Sequence, residues 1–245
     1  MFENIRNIDP SDEGTWADKV FITFDLEWAN DDVLGFVLDI LEESNVKATL
    51  FVTHVTPLLD RMRGNPNLEL GVHPNFNYLL EGDFRLGRHY REVVEHYVKI
   101  VPEAVSIRCH ALAQQTSLLN LFSSVGLKYD CNLLLPLACG SVRPFLHFDG
   151  KLIRVPFIWE DDVHLLTALD WNLETYLRAK SIRVFNFHPI HVFLNSENLE
   201  RYSGCKKEQR DTKVLERYRN KTEPGVYDCL IDVINMCKES VTPSL

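Results

Sequence analysis

The stretch Lys19-Val20-Phe21-Ile22-Thr23-Phe24-Asp25-Leu26-Glu27-Trp28 places two acids directly after a short run of β-branched and aromatic residues. Such a run suits a strand buried on both faces. In parallel α/β folds the chemistry collects at the C-terminal edge of the sheet, so the position of Asp25 and Glu27 matters more than their presence. Acids at strand ends also cap helices, and this pair alone leaves both readings open.

The same unit recurs downstream. Asp31 to Ser44 opens with acids and repeats apolar residues at Val33, Val37, Leu38 and Leu41, the pattern of an amphipathic helix. Ala48 to Thr53 reads as a second strand, Leu58 to Arg63 as a short helix, and Leu68 to Val72 as a third strand ending at His73. Phe84 to Ile100 (helix), Val105 to Arg108 (strand), Thr116 to Val125 (helix) and Leu127 to Tyr129 (strand) continue it. This alternation predicts a parallel sheet with helical crossovers. The rhythm then breaks at Phe145 to Phe148 and Lys151 to Val155, which flank Asp149-Gly150 and predict an antiparallel hairpin. Helix Asn172 to Ala179 and strand Ile182 to Phe187 resume the pattern, and Tyr227 to Cys237 reads as a closing helix. Residues 1–17 read as a polar leader, and Asn195 to Thr222 as a helix-and-loop excursion or a mobile lid.

Composition narrows the function. The 245 residues, 45% hydrophobic and 25% charged, fit one domain with a large core, taken here as residues 1–245. A net charge of -9, with no basic stripe interleaved with aromatics, argues against a nucleic-acid partner. No stretch approaches the length of a membrane span, and the N-terminus carries acids and no apolar run. Six scattered cysteines, without CxxC or zinc-ribbon spacing, lead us to expect free thiols in a reducing cytoplasm.

Further polar residues gather at the other strand ends: His73, then Arg108 and His110, then His188. Any one of these histidines alone reads as an ordinary capped or packed residue. Four strands converging on one rim with imidazoles and carboxylates instead match the ligand set of zinc or a similar divalent ion, one position left open for chemistry. His54, Asp130, Asp161, Asp162 and His191 also lie beside strand ends but lack an independent argument. Cys109, between Arg108 and His110, is a conceivable nucleophile. His89, His96, His147 and His164 read as surface or packing residues.

In order along the chain, these motifs resemble those of the polysaccharide deacetylase, or NodB-homology, superfamily. Thr23-Phe24-Asp25-Leu26-Glu27-Trp28 resembles its first motif, which would make Asp25 the catalytic base and Glu27 a metal ligand. Lys47 to Val52 resembles the second-strand signature, and Gly71-Val72-His73-Pro74-Asn75-Phe76-Asn77 the metal motif H-x-x-x-H, with Asn77 replacing the second histidine. Arg108 matches an arginine that in the family orients the catalytic acid, although Cys109-His110-Ala111 replaces the usual following residues. Gly126-Leu127-Lys128-Tyr129-Asp130 is similar to a run in one branch, and Phe187-His188-Pro189 resembles the last motif, whose histidine is the general acid. The whole looks nearest a subgroup associated with bacterial O-antigen gene clusters.

The resemblance implies a distorted, incomplete (β/α)7-type barrel of mostly parallel strands with an antiparallel hairpin insertion. It implies one divalent metal, zinc by donor type, held by Glu27, His73 and either Asn77 or His110. Alternation from Val105 puts His110 on the face of Arg108, which favours His110, although it also reads as a cap of the following helix. Asp130 or Asp161 is expected to orient His188. The implied reaction is hydrolysis of an acyl-amide on an acylated amino sugar in surface-polysaccharide synthesis. Two alternatives stand beside it: an inactive carbohydrate-binding or scaffold homologue, for which Asn77 speaks, and an amidohydrolase of a small ureide or cyclic amide.

Overall fold

The computed structural model describes residues 2–167 and 170–239. Within them the chain forms one curled sheet from β1 (Val20–Asp25), β2 (Ala48–Val52), β3 (Leu68–Val72), β4 (Ser106–Ile107), β5 (Tyr129–Asp130), β6 (Phe145–Leu146), β7 (Ile153–Arg154), β8 (Trp159–Glu160) and β9 (Arg183–Phe187). Their spatial order is β6-β7-β5-β4-β3-β2-β1-β9-β8. Every neighbouring pair is parallel except β6 with β7. A lone parallel bridge from Leu134 to Phe157 links the segment after β5 to the segment before β8, so the sheet nearly closes on itself. The fold is therefore the mostly parallel, incomplete barrel that the alternation and the resemblance lead one to expect.

The sequence builds the long central strands from residues buried on both faces, and all six residues of β1 are buried. The crossover helix Asp31–Glu43 starts where Asn30 Oδ1 accepts from Val33 N at 3.0 Å, and it turns Val33, Leu34, Val37, Leu38 and Leu41 into the core. The closing helix is Val226–Glu239.

Several boundaries differ for local reasons. The helix expected from Phe84 begins only at Tyr90, because Gly87 at φ +146° turns the chain and His89 is extended. The ladder of the fourth strand ends at Ile107, and Ala111 and Leu112 in the left-handed region turn the chain sharply at His110. The hairpin forms as Phe145 opposite Arg154 and Leu146 opposite Ile153, but through a wider turn in which His147 N donates to Leu152 O and Gly150 takes φ +69°. The excursion after Asn195 folds into helices Leu199–Cys205 and Thr212–Tyr218, the first of the two forms expected for it.

The segment read as a polar leader is part of the core. Phe2 bridges to Val20, and Ile5, Ile8 and Trp16 are buried. Ile5 N donates to Thr49 Oγ1 at 3.2 Å and Arg6 N to Glu69 Oε2 at 2.8 Å, closing the N-terminal end of the sheet's interior. Burial there pushes the Glu69 carboxyl up, against the hydrogen bonds it accepts from Arg6, Ser106 and Thr49. Ile5→Ala should cost about 2–5 kcal/mol in chemical denaturation, as expected for a fully buried aliphatic side chain. A loss below about 1 kcal/mol would show that this segment is not integral to the core.

Candidate active site

Alternation along the strands sets polar residues at the C-terminal end of the sheet's interior. Thr23 and Asp25 come from β1, Asn186 and His188 from β9 and its end, and Arg108 follows β4. Arg108 is fully buried, with its guanidinium carbon 4.5 Å from the ring centroids of both Phe51 and Phe157. Its Nη1 donates to Thr23 Oγ1 at 2.9 Å, to Asp25 Oδ1 at 3.2 Å and to Asn186 Oδ1, and its Nε donates to Cys131 O at 3.1 Å. Asn186 Nδ2 in turn donates to Asp25 Oδ2 at 2.9 Å. Asp25 is thus buried, paired with a fixed cation and held on both oxygens.

On one side of Asp25 stand Glu27, His73 and His110, each offering a donor atom within 4.8 Å of the others. His110 Nδ1 lies 2.5 Å from Glu27 Oε2 and His73 Nε2 lies 3.4 Å from Glu27 Oε1. His73 is buried, yet neither ring nitrogen has a hydrogen-bond partner among the described residues. An orphaned buried imidazole is costly in a folded protein unless a ligand completes it. Two imidazoles and a carboxylate that converge on an adjoining cavity fit a divalent cation of the zinc type. Burial alone would raise the Glu27 carboxyl, but His110, His188 and His73 hold it well below the usual carboxylate range. The bond to Glu27 pushes His110 up despite its burial.

Two other donor clusters, Asp25-Glu160-His188 and Asp161-Asp162-His188, fit a cation less well. Their groups already have partners. His188 Nδ1 lies 2.6 Å from Asp161 Oδ1, and His188 N donates to Asp161 Oδ2 at 2.6 Å. Asp130 instead pairs with Arg154 and accepts from Asn132 Nδ2, so of the two expected orienters only Asp161 reaches His188. His188 Nε2 faces the acids, 3.6 Å from Glu27 Oε1 and 3.9 Å from Asp25 Oδ2. Burial works against its protonation, but Asp161, Asp162 and Glu27 raise its pKa well above the ordinary value.

Asn77 stands apart. It opens the short helix Asn77–Leu80, is exposed, and its backbone N donates to Asn75 Oδ1. His110 stands against Glu27 instead, tied by its backbone N to Pro74 O at 2.9 Å. Cys109 is fully buried, and burial pushes its thiol up, the opposite of what a nucleophile needs. His54 is half-buried beside Thr53, and His191 lies 2.8 Å from Asp162. His164 packs between Trp159 and Trp171.

Three residues escaped sequence reasoning. Asn186 was detectable as the polar residue two before His188 on the same strand face. Glu160, pushed up to about 7 first by burial and then by Asp25 and Asp161, sits on a two-residue strand with no periodic pattern to announce it. Trp28, in the left-handed region at φ +61°, stacks on His188 at 4.9 Å and on Tyr202 at 5.6 Å. Around the cluster open two adjoining cavities. One of about 280 Å³ is lined by Asp25, Glu160, Asp162 and His188, and one of about 360 Å³ by Asn75, Tyr78, Arg85 and Tyr97.

Comparison with known proteins identifies the family and the fold. A family described as WbmS-like polysaccharide deacetylase matches residues 22–206. A crystal structure from Bordetella bronchiseptica, described as a "putative polysaccharide deacetylase involved in o-antigen biosynthesis", is 41% identical, covers 96% of this chain and 97% of its own, and superposes with a TM-score of 0.90. A similarly described polysaccharide deacetylase from Mycobacterium smegmatis shares the fold at 16% identity and a TM-score of 0.50, covering 92% and 93% of the two chains. No curated protein matches significantly. The match spans most of the chain, including the first acid pair, the histidines and the closing His188, and the chain belongs to the WbmS-like polysaccharide deacetylase family.

Proposed function

We propose that this protein is a metal-dependent hydrolase that removes the acyl group from an N-acylated amino sugar during bacterial surface-polysaccharide synthesis. The observation that carries the reading is the buried His73, with both ring nitrogens free of hydrogen bonds, between Asp25 and Glu27. Glu27, His73 and His110 would hold the cation, which when bound supplies Lewis acidity to the acyl oxygen and to water. Similarity to the Bordetella protein supports the surface-polysaccharide setting. The thiols of Cys109, Cys131, Cys139, Cys205 and Cys229 form no disulfide, and Cys139 is exposed, which supports a cytoplasmic precursor as substrate. No helix among the described residues is long and apolar enough to cross a membrane.

The protein's own groups divide the proton work. Asp25 accepts the proton from the attacking water, its charge balanced by Arg108 and its orientation fixed by Arg108 and Asn186. His188 presents Nε2 to the leaving nitrogen and gives it a proton, while Asp161 holds Nδ1 and Trp28 covers the ring. The scaffold alternative drew its support from Asn77, and the position of His110 removes the need for a donor there. No observation favours the ureide reading.

Asp161 gives a test by pH. It raises the His188 pKa, so Asp161→Asn should let His188 lose its proton at lower pH. The alkaline limb of the rate profile should move down by at least about one pH unit, with kcat lowered about 10- to 100-fold. An unmoved limb would show that His188 is not the acid. The direct test of function is release of acetate from acetylated amino sugars by the metal-loaded protein and loss of that activity on chelation.

A further inference from the structure

Glu160 shares the smaller cavity with Asp25 and His188, yet the proton transfers above give it no task. It lies on β8, in register with Asn186 of β9. Its Oε1 accepts from Asn186 Nδ2 at 3.0 Å, and Asn186 is fixed in turn by Arg108 and Asp25. Among the described residues the hydrogen bonds of Glu160 engage Oε1 and leave Oε2 without a donor. Glu160 is half-buried and lines the cavity that it shares with Asp25 and His188, where a polar group of a ligand can donate to the oxygen that Asn186 does not use. Loss of such a partner is also how sites reject an analogue that lacks one polar group.

The placement indicates what that donor is. A carboxylate oxygen of Glu160 lies within 4.8 Å of a ring nitrogen of His188 and of a carboxylate oxygen of Asp25. Under the proposed function, on which this inference rests, His188 faces the nitrogen that leaves. An acceptor so close to it reaches a substituent on the next carbon of the sugar ring, where amino sugars carry a hydroxyl or a second nitrogen. The geometry points to Glu160 as a specificity-determining residue whose Oε2 accepts a hydrogen bond from a hydroxyl or N–H on the carbon adjacent to the acylamino carbon.

The competing role is structural, namely holding Asn186. Glu160→Gln separates the two, because its amide oxygen still accepts from Asn186 while an NH2 donor replaces the second acceptor oxygen; Glu160→Ala removes both. The probes are N-acetylglucosamine and N-acetylgalactosamine, free and as nucleoside diphosphate conjugates, each paired with its 3-deoxy analogue. The wild-type protein should favour the 3-hydroxy member by at least about 100-fold in kcat/KM. Both variants should reduce that preference at least about tenfold, chiefly through KM, with metal content unchanged. Equal turnover of both members by the wild type, or an undiminished preference in Glu160→Gln, overturns the role of Glu160 and leaves the deacetylase reading intact. Turnover of no member of any pair by the metal-loaded protein overturns both.

Discussion

Asp25→Asn is expected to lower kcat by about 10²- to 10⁴-fold while the protein keeps its bound metal, the range seen when a positioned general base is removed. The substitution preserves shape and deletes the group that takes a proton. Asp25 is not one of the three clustered donors Glu27, His73 and His110, so metal content should stay at the wild-type level. Arg108 loses a charged partner but keeps Thr23, Asn186 and the Cys131 carbonyl as acceptors, which should preserve the fold. Circular dichroism and metal analysis on the same sample separate lost chemistry from lost structure. Activity within tenfold of wild type would remove Asp25 from the reaction.

The second large effect concerns the metal. His73→Ala should weaken cation binding by at least about 100-fold, since loss even of a group that only orients a ligand typically costs 10- to 100-fold. His110→Ala should weaken it by well over about tenfold, and Asn77→Ala should leave it nearly unchanged. The order follows from placement: His73 is buried with two orphaned nitrogens, His110 sits against Glu27, and Asn77 is exposed. Titration with zinc, followed by calorimetry, reads all three. Strong loss on Asn77→Ala with little on His110→Ala would return the third donor to Asn77.

The residues that sequence reading located share one property, a polar side chain ending an apolar strand. Asp25, His73 and His188 stand directly at the ends of strands buried on both faces, where pattern and position coincide. His110 was reached by alternation along a strand whose ladder in fact stops at Ile107. The alternation still holds past the ladder, because Cys109 stays extended and Arg108 N and His110 N donate in turn to Val72 O and Pro74 O, and Ala111 and Leu112 turn the chain only after His110. Glu160 and the helix Asp161–Thr167 were missed as elements because a two-residue strand running straight into a helix shows neither period. The leader was misread because Ile5, Ile8 and Trp16 stand singly among polar residues, too few to mark an apolar run, and their burial follows from packing against the end of the sheet. Trp28 gave no warning because its role depends on contacts with His188 and Tyr202, which are far apart in sequence.

The central claim is that Glu27, His73 and His110 together hold one divalent cation beside Asp25 and His188. The most direct measurement is anomalous X-ray scattering at the zinc edge from crystals of the zinc-loaded protein. The account predicts one strong peak about 2.0–2.2 Å from a Glu27 carboxylate oxygen and one ring nitrogen each of His73 and His110, the bond lengths of zinc with such donors. A peak held instead by Asp25, Glu160 and His188, or no peak within the cluster, would contradict it.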